Sequence, residues 1–320
     1  MKIVITDCDH HDLQEEREVF REAGLSFELL QCRTEKDLIA ECGGADILLN
    51  QYAPITRRVM EALSSLKFVV RYGVGVNNVD VGAAAELGVQ VGNVPNYGMN
   101  EVADHALALM MALLRKIPLM NEQTKEKDWN YGYSAPIRRL STLKAGVVGL
   151  GRIGRNFAGK AHALGMEVLG YDPYYTPGEE CSFIRIRSLE EIIREADVIS
   201  LHCPLEQARN LFDRDAFRKM KKSAYLINVS RGGIIDEEAL DWALETGEIA
   251  GAAIDCFQQE PMKPGAALFR HRNLIATPHM AWYSEEAARE LKRKIAEEAV
   301  RFASGQTIRY PVNRVEVPRR

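Results

Sequence analysis

The sequence predicts an α/β protein built as two doubly wound parallel-sheet domains, and three observations carry that reading. Apolar runs of strand length alternate with amphipathic stretches of helix length along nearly the whole chain, which is the pattern of βαβ units. The alternation stops once, near residue 100, at a long apolar helical stretch and a polar connection, and then restarts. At 320 residues the chain is long enough for two separate cores.

In order, the first series reads as strand KIVITD, helix DLQEEREVFREAG, strand SFELLQC, helix TEKDLIAECGG, strand ADILLN, helix RRVMEALSSL, strand KFVVRYG, helix DVGAAAELG and strand VQVGNV. Gly24 and Gly88 stand where helices should stop, since glycine readily takes the left-handed conformation that ends a helix. EVADHALALMMALLRKI is the longest apolar helical pattern, too apolar for a surface helix and broken by Pro118. It is expected to bridge domains or to lie at a subunit contact. Residues 121–139, polar with scattered aromatics, read as a connection. The second series has strands in AGVVGLG, MEVLGYD, DVISLHC, AYLINVS, GAAIDCF and NLIATPH, with SLEEIIREA and DEEALDWALETG as helices between them. Ser188 and Glu191 form a capping box at one helix start. The last helix, SEEAARELKRKIAEEAVRFASG, has no strand after it and is expected to pack back on the first series. The first domain would then be 1–99 plus 285–320, and the second 100–284.

Composition removes several classes of function. Apolar content of 46% and charged content of 27% are those of a folded protein. A net charge of −4 without a basic stripe argues against nucleic acid. MKIVITD lacks the layout of a signal peptide and no apolar run reaches the length of a membrane span, so a cytoplasmic location without a membrane partner is expected. Six cysteines without metal-ligand spacing read as reduced packing residues, and no metal is expected.

Gly149, Gly151 and Gly154 form a GxGxxG, with Arg152 and Ile153 inside it, that follows a strand and opens a helix. Alone this is a weak signal, but Asp172 ends the next strand 23 positions after Gly149, near the spacing of a dinucleotide fingerprint. Gly149 permits the tight turn, Gly151 lets a pyrophosphate approach the backbone, and Gly154 lets helix and strand pack closely. Asp172 would accept hydrogen bonds from ribose hydroxyls and repel a 2′-phosphate, and Pro173, Tyr174 and Tyr175 beside it offer no cation, so NAD is favoured over NADP.

Three later segments each put a chemically able residue just past an apolar strand: Arg231 in NVSRGGIID, Glu260 in AAIDCFQQEP and His279 in TPHMAWYSE. The carboxyl ends of the strands line the ligand crevice of a doubly wound sheet, so the three can converge there. An arginine fork binds a carboxylate bidentately, a histidine can deliver a proton to a carbonyl oxygen, and a glutamate on its other ring nitrogen would orient it and favour its charged form. Of the other histidines, His10, His11, His162 and His271 read as surface residues, and His105 as a satisfied core or interface group.

With RYGVGVNNVD and NVPNYGMNEVADHALAL upstream, these segments resemble the D-isomer-specific 2-hydroxyacid dehydrogenase family over almost the whole chain. TPHMAWYSE is similar to the branch containing the C-terminal-binding-protein corepressors and their bacterial dehydrogenase relatives. The resemblance implies a Rossmann nucleotide-binding domain and a flavodoxin-like substrate domain with a cleft between them. It also implies NADH-dependent, reversible reduction of a small 2-keto acid to the D-2-hydroxy acid, with Arg231, Glu260 and His279 as the catalytic residues. It places the backbone N–H groups of Tyr72, Gly73, Val74 and Gly75 around the substrate carboxylate, and Trp282 as a wall of the pocket. Asp255 is placed by the nicotinamide, with His202, Pro204 and Ser230 along the cofactor. Relatives usually pair as homodimers through the nucleotide domain, for which helix 101–117 is a candidate surface. Two alternatives stand beside this reading, an NAD(H)-sensing corepressor-like binding protein and phosphoglycerate dehydrogenase. The chain ends soon after its last long helix, which leaves no room for an added regulatory domain but would suit shorter forms. Asn77, Asn96, Met99 and Asn100 depart from the family pattern and weaken any specific substrate assignment.

Overall fold

The computed structural model describes residues 1–10, 12–126, 128–176 and 178–315, so His11 lies outside the described residues. Two compact units are present, one formed by Met1–Tyr97 with the chain from Ser284 onward, the other by Gly98–Tyr283.

The first unit holds β1 (Ile3–Ile5), α1 (Gln14–Glu22), β2 (Glu28–Leu29), α2 (Glu35–Glu41), β3 (Ile47–Asn50), α3 (Arg57–Ala62), β4 (Phe68–Arg71), α4 (Val81–Glu86) and β5 (Gln90–Gly92). All strand pairs are parallel, in the order β2-β1-β3-β4-β5, so strand order reverses between β1 and β3, as in flavodoxin-like sheets. Gly24 at φ +68° and Gly88 at φ +73° follow α1 and α4, as expected of helix stops. The last helix, Glu285–Ala303, buries Leu291, Ile295, Ala296 and Ala299. It belongs to this unit: Phe302 stacks on Phe68 at 4.7 Å, and Lys292 donates to Asp12 Oδ1 at 2.8 Å.

The second unit opens with α5 (Met99–Leu114) and α6 (Ile117–Glu126). There follow β6 (Lys144–Val148), α7 (Arg152–Ala163), β7 (Glu167–Tyr171), β8 (Ile184–Ile186), α8 (Leu189–Glu195), β9 (Val198–Leu201), α9 (Arg214–Lys219), β10 (Tyr225–Asn228), α10 (Glu237–Thr246), β11 (Gly251–Ile254) and β12 (Leu274–Ala276). The sheet runs β12-β11-β10-β9-β6-β7-β8, again all parallel, with the reversal between β6 and β9. That is the Rossmann order, and ligands of such sheets bind at the carboxyl ends beside the reversal. The central strands are buried on both faces, which is why they read as unbroken apolar runs.

Four elements differ from the sequence reading. Helix α5 turns Ala103, Ala106, Leu109, Met110, Leu113 and Leu114 into its own unit, against α7, β10 and β11. Its apolar face is therefore used in the core of the second unit. Residues 117–126, placed partly in a connection, form α6, which starts at Pro118's turn and buries no side chain. Proline is tolerated in a first helical turn because that N–H has no helical partner, and a helix without a buried face leaves no periodicity to read. The edge strand β8 and the short α9 were hidden for a similar reason. Arg185 and Ile186 of β8 are exposed, and α9 buries only Ala216 and Phe217.

Among the described residues all six cysteines are free, and no helix is long and apolar enough to cross a membrane. The capping box is formed as expected: the Ser188 side chain accepts from Glu191 N, while Glu191 Oε2 accepts from Ser188 N at 2.8 Å. Ser188→Ala is expected to lower unfolding free energy by about 1 kcal/mol, the usual worth of such a cap. The urea midpoint measures this, and an unchanged midpoint would remove the cap from the list of stabilising contacts.

Candidate active site

The glycine-rich turn lies between β6 and α7, at the carboxyl end of the central strand. Gly149 has φ +93°, and a Cβ there would sit 2.5 Å from the His202 carbonyl oxygen. At Gly154 a Cβ would come within 2.0 Å of the Gly149 carbonyl oxygen, so both positions require glycine. Gly151 differs: it is the N-cap of α7 with no side-chain cap, and a Cβ there would meet no protein atom within 4 Å. The fold itself does not demand glycine at that point, whereas the close approach of a phosphate to the backbone does. Exposed Arg152 begins α7 and half-buried Ile153 follows it. Asp172 closes the turn from the end of β7, where its Oδ2 accepts from Leu150 N at 2.8 Å and its Oδ1 from Tyr174 N at 2.9 Å. Each oxygen keeps a lone pair for a ribose hydroxyl. These residues fit a dinucleotide.

His202, expected along the cofactor, serves the turn from beneath. Its N–H donates to Val148 O at 2.7 Å, its ring packs 5.3 Å from Phe157, and its Nε2 meets Ser200 Oγ at 2.9 Å. Burial pushes its pKa down to about 3, so the ring is neutral. Pro204 is exposed at the start of a 3-10 turn after β9. Ser230 is turned inward, its hydroxyl donating to Leu201 O at 2.6 Å.

Glu260 and His279 are brought together: His279 Nδ1 lies 2.6 Å from Glu260 Oε2, and Glu260 Oε1 accepts from Phe257 N at 2.8 Å. Burial raises the Glu260 pKa, but the hydrogen bond and charge of His279, the Phe257 N–H and the Arg231 charge outweigh it and hold the carboxyl below its ordinary value. Arg231, which donates to Ser230 O at 2.6 Å, is thus electrostatically within reach of the pair. The approach of the Arg231 and Glu260 loops rests on Gly232, where a Cβ would lie 1.9 Å from the Phe257 carbonyl oxygen. The SRGG run carried that signal, which the sequence reading left unused.

His279 has φ +53°, a conformation that L-residues with a β-carbon avoid and that costs on the order of 1–3 kcal/mol. The surrounding bonds impose it. His279 N donates to Asp255 O and Thr277 O, at 3.0 and 3.1 Å. The Asp255 carboxylate accepts from Thr277 Oγ1 at 2.6 Å and from Met280 N and Ala281 N, both at 3.0 Å. Asp255, expected beside the nicotinamide, is instead fully buried, with both oxygens committed to the His279 turn. Cys256, Glu260 and His279 offer ligand-type atoms within 4.8 Å of one another. The thiol is nevertheless buried, donates to Ser230 O at 3.5 Å, and is pushed well above its ordinary pKa by burial, so the trio does not fit a resident metal.

Half-buried Trp282 lies edge-on to Tyr283, with ring centroids 5.6 Å apart. The segment Tyr72–Gly75 follows β4 in the first unit. Its Tyr72 N–H donates to Asn50 O at 2.8 Å, continuing the β3–β4 ladder, so it is not available to a substrate carboxylate as expected. Gly73 has φ +127°, and Val74 is exposed. Asn96 is tied to the last helix, whose Lys294 donates to its Oδ1 at 2.9 Å. His162 is exposed as expected, but His10 and His271 are not, with side chains only 9% and 6% exposed. His271 is held by Asp241 at 2.8 Å.

The model of the D-isomer specific 2-hydroxyacid dehydrogenase NAD binding domain matches residues 107–281. The chain is 36% identical to D-3-phosphoglycerate dehydrogenase of Methanocaldococcus jannaschii, across 99% of this chain and 60% of that protein. It is 35% identical to glycerate dehydrogenase of Methylorubrum extorquens, across 88% of this chain and 89% of that protein. D-lactate dehydrogenase from Aquifex aeolicus, solved with NAD and lactic acid, superposes with a TM-score of 0.86 at 25% identity, covering 95% of this chain and 96% of that one. The chain thus spans about 60% of the length of the first of these relatives. Its second unit is an NAD-binding domain, and the chain belongs to the D-isomer-specific 2-hydroxyacid dehydrogenase family.

Proposed function

We propose that this protein reduces a small 2-keto acid to the D-2-hydroxy acid with NADH, reversibly. The observation that carries the reading is the 2.6 Å His279–Glu260 pair, built at the carboxyl ends of the same sheet whose first turn carries the glycine motif. The Gly149–Gly154 turn and Asp172 would hold the dinucleotide. When bound, it supplies the hydride. Glu260, kept ionised by its lowered pKa, takes a hydrogen bond from Nδ1–H, which leaves Nε2 of His279 as the nitrogen that gives its proton to the carbonyl oxygen. Arg231 binds the substrate carboxylate through its planar fork. In the same reading Trp282 borders the substrate's side chain. The names of the relatives make hydroxypyruvate and its 3-phosphorylated form the first substrates to try. Pairing as a homodimer through the second unit is part of the proposal. Helix α5 is the candidate surface, and Trp129 and Tyr131, 92% and 88% exposed after α6, add apolar area on the same unit. The free cysteines suit the cytosol.

Loss of NADH absorbance with a panel of 2-keto acids tests the reading. His279→Asn keeps a residue type that accepts a positive φ but cannot donate the proton, so turnover is expected to fall about 10²-fold in a protein that still folds. Turnover of no panel member, or an active His279→Asn, would overturn the assignment. At the other end of the site, Asp172→Ser is expected to narrow the preference for NADH over NADPH about tenfold, equivalent to about 1.4 kcal/mol. An unchanged ratio would remove Asp172 from cofactor choice. Because the Glu260 carboxyl titrates below its ordinary value, its ionised form stabilises the fold above that ordinary value, and the contribution is lost as pH falls through the lowered one. Thermal melts should therefore show a wild-type advantage over Glu260→Gln at neutral pH that shrinks under acid conditions. An advantage independent of pH would contradict the pairing.

A further inference from the structure

Helix α5 carries one polar side chain, His105, that points at the buried carboxylate holding the His279 turn. Its Nε2 lies 3.1 Å from Thr277 Oγ1 and 3.7 Å from Asp255 Oδ1. The proton positions along this chain follow from valence. The Thr277 hydroxyl has a single proton, and at 2.6 Å it donates that proton to Asp255 Oδ1. Its oxygen can then only accept from His105, so the proton of His105 sits on Nε2. The result is a directed chain, His105 Nε2–H to Thr277 Oγ–H to the Asp255 carboxylate, in which each bond polarises the next.

Burying a carboxylate is costly unless its oxygens are satisfied. Asp255 is 0% exposed, and its other donors are the N–H groups of Met280 and Ala281. All three donors to Asp255, and His279 N donating to its carbonyl oxygen, come from the five residues Thr277 to Ala281. Those five residues contain the one catalytic side chain held at positive φ. Among the described groups, His105 is the titratable side chain that faces this carboxylate from another element.

We infer that His105 is a positioning residue for the reduction: through Thr277 it fixes the Asp255 carboxylate, and through Asp255 it fixes the turn that aims His279. The inference rests on the proposed reductase reading, but it has a readout of its own. Thr277→Val removes the hydroxyl at nearly constant volume, Thr277→Ser keeps it, and His105→Leu removes the outer donor. Both Thr277→Val and His105→Leu are expected to lower kcat about tenfold or more, since small misplacements of an aligned group are costly, while the KM for NADH stays close to wild type. Thr277→Ser should retain wild-type kcat. A role confined to packing would lower the melting temperature without separating kcat from KM. Hydrogen exchange across residues 277–283 should accelerate in Thr277→Val and His105→Leu and stay slow in Thr277→Ser. If no 2-keto acid is turned over, the reductase reading fails, while the exchange measurement still decides the chain. Unchanged exchange in folded Thr277→Val and His105→Leu proteins would overturn the inference, as would kcat within about twofold of wild type in an active enzyme.

Discussion

The hydrogen bond between Glu260 and His279 depends on two backbone arrangements that leave almost no room for alternatives. Gly232 lets the loop after β10 lie against the Phe257 carbonyl, where any β-carbon would overlap it. Asp255 collects the donors of the turn from Thr277 to Ala281 and so holds His279 at a backbone conformation that a free chain would abandon. Strain at one residue is tolerated because several hydrogen bonds share its cost. The imidazole thereby meets the carboxylate at 2.6 Å, the kind of preorganisation that the proposed proton transfer would use.

The nucleotide end of the same sheet is organised on the same principle. Gly149 and Gly154 are glycines because the protein's own backbone lies where their β-carbons would be, while Gly151 is bare toward the outside. Asp172 bonds the backbone of the turn it closes, and the neutral His202 ring supports that turn from below. Both ends of the site therefore lie on strand termini of one rigid sheet, with side chains aimed by second contacts rather than by loops alone.

The sequence made the architecture legible because doubly wound sheets announce themselves: fully buried parallel strands read as continuous apolar runs, and the glycines at 24, 88 and 149 mark turns whose positive φ only glycine satisfies easily. Arg231, Glu260 and His279 were legible as candidates for the related reason that each follows a strand. Elements with little burial were not: α6 has no buried side chain and β8 alternates arginine with isoleucine at a sheet edge. The roles of Asp255 and Tyr72 also escaped, because a side chain or N–H that a motif aims at a ligand can instead be spent inside the protein. Tyr72 N–H extends the β3–β4 ladder by one residue, and Asp255 satisfies the His279 turn. Burial and hydrogen-bond direction decide such cases, and neither is encoded locally.

The most direct measurement follows the transferred atom itself: the protein is incubated with NADH stereospecifically deuterated at the nicotinamide C4 and a 2-keto acid, and the product is analysed for label and configuration. Direct hydride transfer onto a carbonyl whose proton comes from a fixed His279 gives deuterium at C2 of a single enantiomer, the D-2-hydroxy acid, when the deuterated face is the one used. Absence of label at C2 with deuterium on either face, or a racemic product, would contradict it.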